Sequence, residues 1–309
     1  MLGNQTKLAE FILLGFRKFY ELQTLLFLIF LVIYVVTITG NILTFALIVF
    51  DRHLHTPMYF FLGNLSFLEA CSSSNIFPQM LLALITGDRR ISFTGCFTQW
   101  YLFGSLEAAE CFLLCAMSYD RYLAICKPLH YATTMKTHTS IHLAAASWFS
   151  GFIACLVLLI LMLQLSFCGP SEIDHYFCEY FPLLKLSCSD TSVLEITRYI
   201  LAVIFTFPPF FLTITSYVYI IAAILKIPSA AGRQKAFSTC SSHLIVVSIF
   251  YGTLMIAYMI PKSKKNREMQ KISSLLYTAL SPLVNPFIYS LRNKEVKNSL
   301  RNNIRKLVR

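Results

Sequence analysis

The sequence predicts an all-α membrane protein: a bundle of seven transmembrane helices with a short amphipathic C-terminal helix. Two observations carry this prediction. Of the 309 residues, 56% are hydrophobic and 13% are charged, with a mean hydropathy of +0.63, whereas a soluble domain carries about a quarter charged residues. Seven apolar stretches are also each long enough to cross a bilayer as a helix, which satisfies its own backbone hydrogen bonds in lipid.

The seven predicted spans form a single domain over residues 1–309. An extracellular N-terminus (1–22) precedes the helix bundle (23–291), and a cytoplasmic amphipathic tail (292–309) follows it. No cleavable signal peptide is evident, so the first span is expected to insert the chain. The spans are predicted at residues 23–50, 57–86, 95–126, 140–166, 194–226, 236–260 and 270–291.

The termini and the charge distribution bear on orientation and partners. Asn4-Gln5-Thr6 is a glycosylation sequon, and its use would place the N-terminus outside the cell. The formal net charge of +11 falls mostly in the predicted cytoplasmic segments, which favours anionic lipid and a cytoplasmic partner over nucleic acid. Lys and Arg are nearly balanced between the two sides, because five of them lie within residues 262–271, so their count does not set the orientation.

Four of the ten cysteines lie in or beside loops on the predicted side of the N-terminus. They are Cys96, Cys168, Cys178 and Cys188. Disulfides persist outside the cell, so these residues predict two bridges, for which three pairings are open. A soft-metal site is the alternative, with His175 beside three of the cysteines, but oxidised cysteines cannot act as thiolate ligands.

Three carboxylic acids, Glu69, Glu107 and Glu110, lie deep in predicted spans. An ionised carboxylate in lipid is costly unless it is paired, protonated or bound to a cation, so such residues are functional candidates. A transporter or channel would use them as an ion path, although no repeated half-structure is present. An enzyme is not expected, because the sequence has no phosphate loop, nucleophile elbow or metal-binding helix motif.

Several long motifs carry a family resemblance. Residues 120–122 (Asp-Arg-Tyr) close the third span and residues 282–289 (Pro-Leu-Val-Asn-Pro-Phe-Ile-Tyr) lie in the seventh, which resembles rhodopsin-like G-protein-coupled receptors. Three further motifs are similar to those of olfactory receptors. Residues 54–62 begin with Leu-His-Thr-Pro-Met-Tyr, residues 117–131 begin with Met-Ser-Tyr-Asp-Arg-Tyr, and residues 235–244 begin with Lys-Ala-Phe-Ser-Thr-Cys. The resemblance is to the class II, tetrapod-type group and covers nearly the whole chain.

This resemblance implies an odorant receptor that binds a small volatile ligand within the bundle and activates a stimulatory, olfactory-type G protein to raise cAMP. It implies a plasma-membrane protein with a cytoplasmic C-terminus, and the disulfides Cys96–Cys178 and Cys168–Cys188. The residues that it implies for G-protein coupling and activation are Asp120, Arg121, Tyr122, Tyr217, Asn285, Pro286 and Tyr289. A receptor of the same fold for a non-volatile ligand is the open alternative.

The resemblance also places the odorant between the third, fifth, sixth and seventh spans. The residues predicted to contact it are Phe103, Gly104, Glu107, Ala108, Leu201, Phe205, Tyr251, Leu254, Met255, Tyr258, Leu275 and Thr278. Apolar burial would supply most of the binding free energy, at about 25 cal/mol per Å². Glu107 favours a cationic or hydrogen-bond-donating ligand; the alternative is a protonated side chain that extends a network with Glu110.

Glu69 and Glu110 match two acidic positions that resemble a sodium-type site between the second and third spans. The family usually has Asp where Glu69 stands, so the added methylene is expected to shift either the cation or the coupling. The alternative is a structural pair that shares a proton and holds no ion. No other cofactor is expected.

Overall fold

The computed structural model describes residues 9–168, 171–259, 267–292 and 294–307. Its helices are α1 Gln23–Phe50, α2 Pro57–Thr86, α3 Phe93–Cys126, α4 Pro128–Thr134, α5 Thr137–Leu163, α6 Tyr180–Leu184, α7 Ser192–Phe205, α8 Phe207–Leu225, α9 Ala230–Met259, α10 Arg267–Leu275, α11 Ser281–Arg292 and α12 Lys294–Leu307. Its strands are β1 Glu10–Leu13, β2 Arg90–Ser92 and β3 Glu172–Ile173. The sequon at Asn4 lies outside the described residues.

These helices form the predicted seven-helix bundle: α1, α2, α3, α5, α7 with α8, α9, and α10 with α11. By length and hydropathy alone, five segments of the described chain qualify as membrane spans, in the first, third, fourth, fifth and sixth positions. The second helix carries Asn64, Glu69 and a run of serines from Ser72, which lower its hydropathy. Glu69 and Ser73 of α2 face inward, since both are fully buried.

Two of the spans depart from regular α-helix where prolines occur. The fifth span breaks between α7 and α8 at Thr206, just before Pro208 and Pro209, because proline has no N–H to donate and its ring clashes with the preceding turn. In the seventh span, Leu276–Leu280 form a π-helical segment directly before α11 and Pro282. The sequence predicts bending at Pro208, Pro209 and Pro282, but it does not predict the break at Thr206 or the π-helical form of the second irregularity.

The third helix is the centre of the bundle. Leu113, Leu114 and Met117 are fully buried between its neighbours. It meets α5 at very short range at Gly151, where an added Cβ would lie 2.4 Å from the carbonyl oxygen of Ser105. Helices approach this closely only where the contact residue lacks a side chain.

One end of the bundle, here called the disulfide end, is covered by the β-sheet and the loop between α5 and α7. Strand β1 lies between β2, which is antiparallel to it, and β3, which is parallel. The Lys271 ammonium at the start of the seventh span binds Asp174 Oδ1 at 2.7 Å and the Gly15 carbonyl at 2.9 Å. The N-terminal segment, this loop and the seventh span are therefore held together by one buried charge.

The opposite end, called the Arg121 end, carries α4 and the tail helix α12. The Tyr59 hydroxyl donates to Glu295 Oε2 at 2.7 Å, and Ser299 donates to Asp51. Val296 is fully buried, so α12 docks on the start of the bundle with its apolar face inward. The side chains of the tail beyond Arg301 lie outside the described residues.

Candidate functional site

A cavity of about 300 Å³ opens beneath the loop at the disulfide end. Seven of the twelve residues predicted to contact a ligand line it: Phe103, Gly104, Glu107, Ala108, Leu201, Phe205 and Leu254. Aromatic rings narrow it, since Phe103 lies 5.1 Å from Phe177 and 6.0 Å from Tyr277, centroid to centroid. A small, mostly apolar ligand fits a chamber of this volume and lining.

The structure places four other predicted contact residues outside this lining. Tyr251 lies beside it, and its hydroxyl is 3.1 Å from the sulfur of Cys111, which does line the cavity. Met255 is 47% exposed on the outer surface of the bundle. Thr278 is buried against Tyr176, with 2.8 Å between their hydroxyl oxygens. Leu275 packs against the cluster of buried hydrophobic residues that contains Tyr176. The side chain of Tyr258 is not among those described.

The fourth span and the loop contribute residues to the cavity that the sequence did not predict. Ala154, Cys155 and Leu158 of α5 form one wall, and a stretch of the loop from Phe177 to Lys185 closes the mouth. The small residues Gly104 and Gly151 are the signal that the sequence offered, because they let α3 and α5 approach closely. The cysteine spacing offered no comparable signal for the side-chain positions of the loop.

The mouth of the cavity carries charged groups of both signs. Arg198 of α7 stacks over Tyr180 at 5.1 Å and over Phe181 at 4.8 Å, a cation–π arrangement that holds the guanidinium at the rim. Lys185 and Glu179 line the same rim. Deeper in the cavity Glu107 is the acidic lining residue, so an entering ligand passes a mixed rim before it meets a single carboxyl group.

Both disulfides implied by the resemblance are present, Cys96–Cys178 and Cys168–Cys188. The alternative of a thiolate metal site with His175 is therefore wrong, because all three of its cysteines are oxidised. Cys178 also donates its backbone N–H to Gln99 Oε1 at 2.9 Å. The bridge from α3 thus fixes the part of the loop that forms the mouth of the cavity.

His175 gives the disulfide end a defined response to acid. Burial, together with the Lys271 ammonium, lowers the pKa of His175 to about 3, so its folded form stays neutral while an unfolded histidine takes up a proton below about pH 6.5. We expect the stability of the loop to fall as the pH drops from about 6.5, by at most about 1.4 kcal/mol per pH unit. Hydrogen–deuterium exchange of residues 171–178 at pH 7.5 and pH 5.0 measures this.

A matched pair of variants isolates the histidine from Asp174, Glu179 and Lys271, the charged groups around it. His175→Asn should flatten the pH dependence of exchange in the loop, whereas His53→Ala, an exposed histidine at the Arg121 end, should leave it unchanged. A pH dependence that persists in His175→Asn would assign the acid sensitivity to the carboxylates instead.

Below the cavity, hydrogen bonds join the first, second and seventh spans in a polar cluster, and Glu110 of the third span interacts electrostatically with Glu69. Asn285 donates to Glu69 Oε1, and Asn41 donates to the Pro282 carbonyl at 3.0 Å. Glu69 and Glu110 are both buried. Among the described atoms, four oxygens here have no hydrogen-bond partner: Glu69 Oε2, Glu110 Oε1, Asn41 Oδ1 and Asn285 Oδ1. Unsatisfied buried oxygens of this type suit a small hard cation.

At the Arg121 end lies a cavity of about 970 Å³. Two of the seven predicted activation residues, Arg121 and Tyr289, line it, and Tyr131 and His243 also line it. Asp120 is fully buried and pairs with Arg121, and it accepts a hydrogen bond from Tyr131 at 2.9 Å. Burial and the adjacent Asp120 raise the pKa of Tyr131, so the phenol keeps its proton and remains the donor.

The other predicted activation residues extend from this cavity into the bundle. Tyr217 is hydrogen-bonded to His243. Pro286 packs against Gly40, where an added Cβ would lie 3.0 Å from the proline ring. Tyr122 lies outside the lining, 6.0 Å from Tyr219 between ring centroids. Asn285 belongs to the polar cluster through its hydrogen bond to Glu69.

The arrangement defines a seven-helix receptor of the rhodopsin fold, with a ligand-sized cavity at one end and an arginine-lined cavity at the other. Squid rhodopsin aligns with 92% of this chain and 80% of its own, at a TM-score of 0.73 and 16% identity, a likeness that concerns the fold alone. The family model for olfactory receptors matches residues 30–306. The chain belongs to the olfactory receptor family.

Curated human relatives agree with this assignment. Olfactory receptor 10A5 is 50% identical over 308 residues, which cover 99% of this chain and 97% of the relative. Olfactory receptor 10A2 is 51% identical and covers 93% and 94% of the two chains, and olfactory receptor 6C4 is 47% identical and covers 99% of each. The protein is an odorant-sensing, multi-pass G-protein-coupled receptor, and not an enzyme. The transporter or channel alternative finds no support in this family.

Proposed function

We propose that this receptor binds a small volatile amine in the cavity beneath the disulfide end and activates a stimulatory, olfactory-type G protein that raises cAMP. The observation that carries the proposal is the position of Glu107, whose carboxyl group lines an otherwise mainly apolar chamber of about 300 Å³. A carboxylate in an apolar site is costly without a partner, and an ammonium group supplies one through a charge-assisted hydrogen bond.

The cavity wall supplies the rest of the affinity through apolar contact. Phe103, Phe205 and Leu254 line the same cavity as Glu107 from three different spans. Each would bury part of a hydrocarbon skeleton at about 25 cal/mol per Å². A ligand that prefers one packing of these spans shifts the population of the receptor between two bundle arrangements. The kinked fifth and seventh spans are the elements that such a shift would use.

The polar cluster around Glu69 and Glu110 is proposed to hold a sodium-type cation. The four unpartnered oxygens of this cluster support the assignment, as does the donor set, which is carboxylate and amide oxygen throughout. Such an ion would supply the positive charge that two buried carboxylates need. It would lie between the ligand cavity and Asn285, which is hydrogen-bonded to Glu69.

The proposed orientation puts the disulfide end outside the cell and the Arg121 end in the cytoplasm of a plasma-membrane protein. Two disulfides at one end support this assignment, because such bonds persist in oxidising compartments. The basic tail helix at the other end would then contact anionic lipid of the inner leaflet. The cavity lined by Arg121 would face the G protein.

The proposed function is tested by cAMP accumulation in cells that express the receptor with or without the stimulatory olfactory α subunit. The cells are challenged with volatile amines and with neutral and acidic volatiles of matched hydrocarbon size. The amines should raise cAMP in the cells with the α subunit. Surface labelling of the receptor provides the control for expression. A receptor that reaches the surface and responds to none of the amines would contradict the proposal, and a response that is equal without the α subunit would contradict the coupling.

Tyr131→Phe tests the proposed role of the Arg121 end. The substitution removes the hydroxyl that donates to Asp120 Oδ1 at 2.9 Å, and with it about 1.5–3 kcal/mol of a hydrogen bond to a charged group. Asp120 then holds Arg121 without support from α4, so we expect basal cAMP to rise. The control is Tyr119→Phe, at an exposed tyrosine next to Asp120, which should leave basal cAMP unchanged. Equal basal cAMP in both variants would show that the Tyr131 hydroxyl has no role in holding Arg121.

A further inference from the structure

We propose that His138 and His142 form a binding site for a divalent transition-metal ion at the Arg121 end of the fourth span. The two residues lie four apart on α5, in a His-Thr-Ser-Ile-His sequence. Both are exposed, and their Nε2 atoms are 2.7 Å apart. In helical metal sites, two histidines at this spacing coordinate one ion.

The distance between the two nitrogens matches a chelate. Two ligands in adjacent positions of a square-planar or octahedral ion, at about 2.0 Å from the metal and at 90°, are about 2.8 Å apart. The observed separation of 2.7 Å is therefore close to what Cu²⁺ or Ni²⁺ requires. A tetrahedral Zn²⁺ ion needs about 3.3 Å, which a small rotation of either ring provides.

The ring protons of the two histidines also permit metal binding. In the hydrogen-bonded pair, one neutral ring carries its proton on Nε2 and the other presents a lone pair there. For chelation the donor ring moves that proton to its own Nδ1 by exchange with water, and both Nε2 lone pairs then face the metal. The two rings bind the ion as neutral ligands, so no net proton is released from them.

The position of the pair keeps it accessible to ions in water. Lys136 precedes α5 as its N-terminal flanking residue, so His138 lies in the first turn of the helix and His142 one turn further on. Among the described residues, no group of three or more His, Cys, Asp or Glu side chains converges on one point. Water therefore completes the coordination sphere, and a two-histidine site of this type selects ions by the ordinary order of divalent affinity, with Cu²⁺ above Ni²⁺ and Zn²⁺.

The test uses the full-length receptor without a histidine tag, in nanodiscs of zwitterionic lipid, titrated with Cu²⁺ and followed by electron paramagnetic resonance. We expect one tight Cu²⁺ per receptor with two imidazole nitrogens in its spectrum, displaced by excess Ni²⁺. His138→Ala and His142→Ala should each weaken Cu²⁺ binding by at least about tenfold, or 1.4 kcal/mol. Circular dichroism of each variant reports whether it is folded. We expect both variants to fold, because both rings are exposed.

Two controls separate the pair from histidines in general. His130→Ala removes another exposed histidine of the same end and should leave the two-nitrogen spectrum intact. His138→Ala combined with Lys136→His keeps the number of histidines but sets them six residues apart, and should lose the spectrum. A wild-type spectrum without two imidazole nitrogens, or one that survives in the respaced variant, would overturn the proposal. Neither result depends on the ligand or the G protein.

Discussion

Replacing Gly151 by alanine is expected to destabilise the receptor strongly. An added methyl group would lie 2.4 Å from the carbonyl oxygen of Ser105 and 2.7 Å from the backbone nitrogen of Ala109. Both atoms belong to the backbone of α3, so no side-chain rotation relieves the clash and the two helices must separate. Overpacking of this kind costs about 1–3 kcal/mol, occasionally more. Thermal unfolding of the purified receptor and the density of receptor at the cell surface measure the loss.

The matched control is Gly252→Ala in α9, where an added Cβ has no neighbour within 4 Å. Alanine favours helix over glycine by about 1 kcal/mol, so this variant should be as stable as the wild type or more so. The Gly151 variant should also lose sensitivity to ligand, because Gly104 and Cys155 of the same helix pair line the cavity. A Gly151→Ala receptor with wild-type stability would show that α3 and α5 do not meet at this distance.

Removing the Cys96–Cys178 disulfide is expected to have the second large effect. The bridge closes a segment of 82 residues, against 20 for Cys168–Cys188. The chain-entropy estimate assigns about 4–5 kcal/mol to the longer closure and about 3 kcal/mol to the shorter one. The longer bridge also anchors the loop beside Phe177 and Glu179, which line the cavity, so its loss should lower both surface density and ligand response.

Paired substitutions avoid unpaired thiols in this comparison. Cys96→Ala with Cys178→Ala should lower the unfolding temperature more than Cys168→Ala with Cys188→Ala. Cys71→Ala, at a free and partly buried cysteine, controls for the loss of a thiol. An equal fall in both disulfide variants would mean that the anchoring of the loop, and not the length of the closed segment, sets the stability of this end.

The helices were the predictable part of this fold. Their sequence signal is the need to satisfy backbone groups in lipid, which is local and strong. The β-sheet was not predicted, because Glu10–Leu13 pairs with residues far along the chain, Arg90–Ser92 and Glu172–Ile173. Pairings of this kind depend on where the loops lie after the bundle has formed. The break at Thr206 was also missed, although the prolines that follow it had been noted as points of bending.

The residues of the candidate site were also predictable only in part. Residues on the inner stripe of α3, from Phe103 to Ala108, were predicted and line the cavity. Met255 and Thr278 were predicted from the resemblance, which names the span but does not fix the face of the helix. The structure places Met255 on the outer surface and buries Thr278 against Tyr176. The mouth residue Tyr180 belongs to the loop, whose course follows from the disulfide pairing, and Arg198 of α7 lies over its ring.

The measurement that tests the central claim most directly is the cAMP response of Glu107→Gln to volatile amines. This variant keeps the size of the side chain and removes its negative charge. Loss of a hydrogen bond to a charged group costs about 1.5–3 kcal/mol, so the half-maximal amine concentration should rise by about tenfold or more. Glu179→Gln, the matched change at the rim of the same cavity, should respond like the wild type. An amine response that is unchanged in Glu107→Gln at equal surface density would contradict the claim that this carboxyl group binds the ligand.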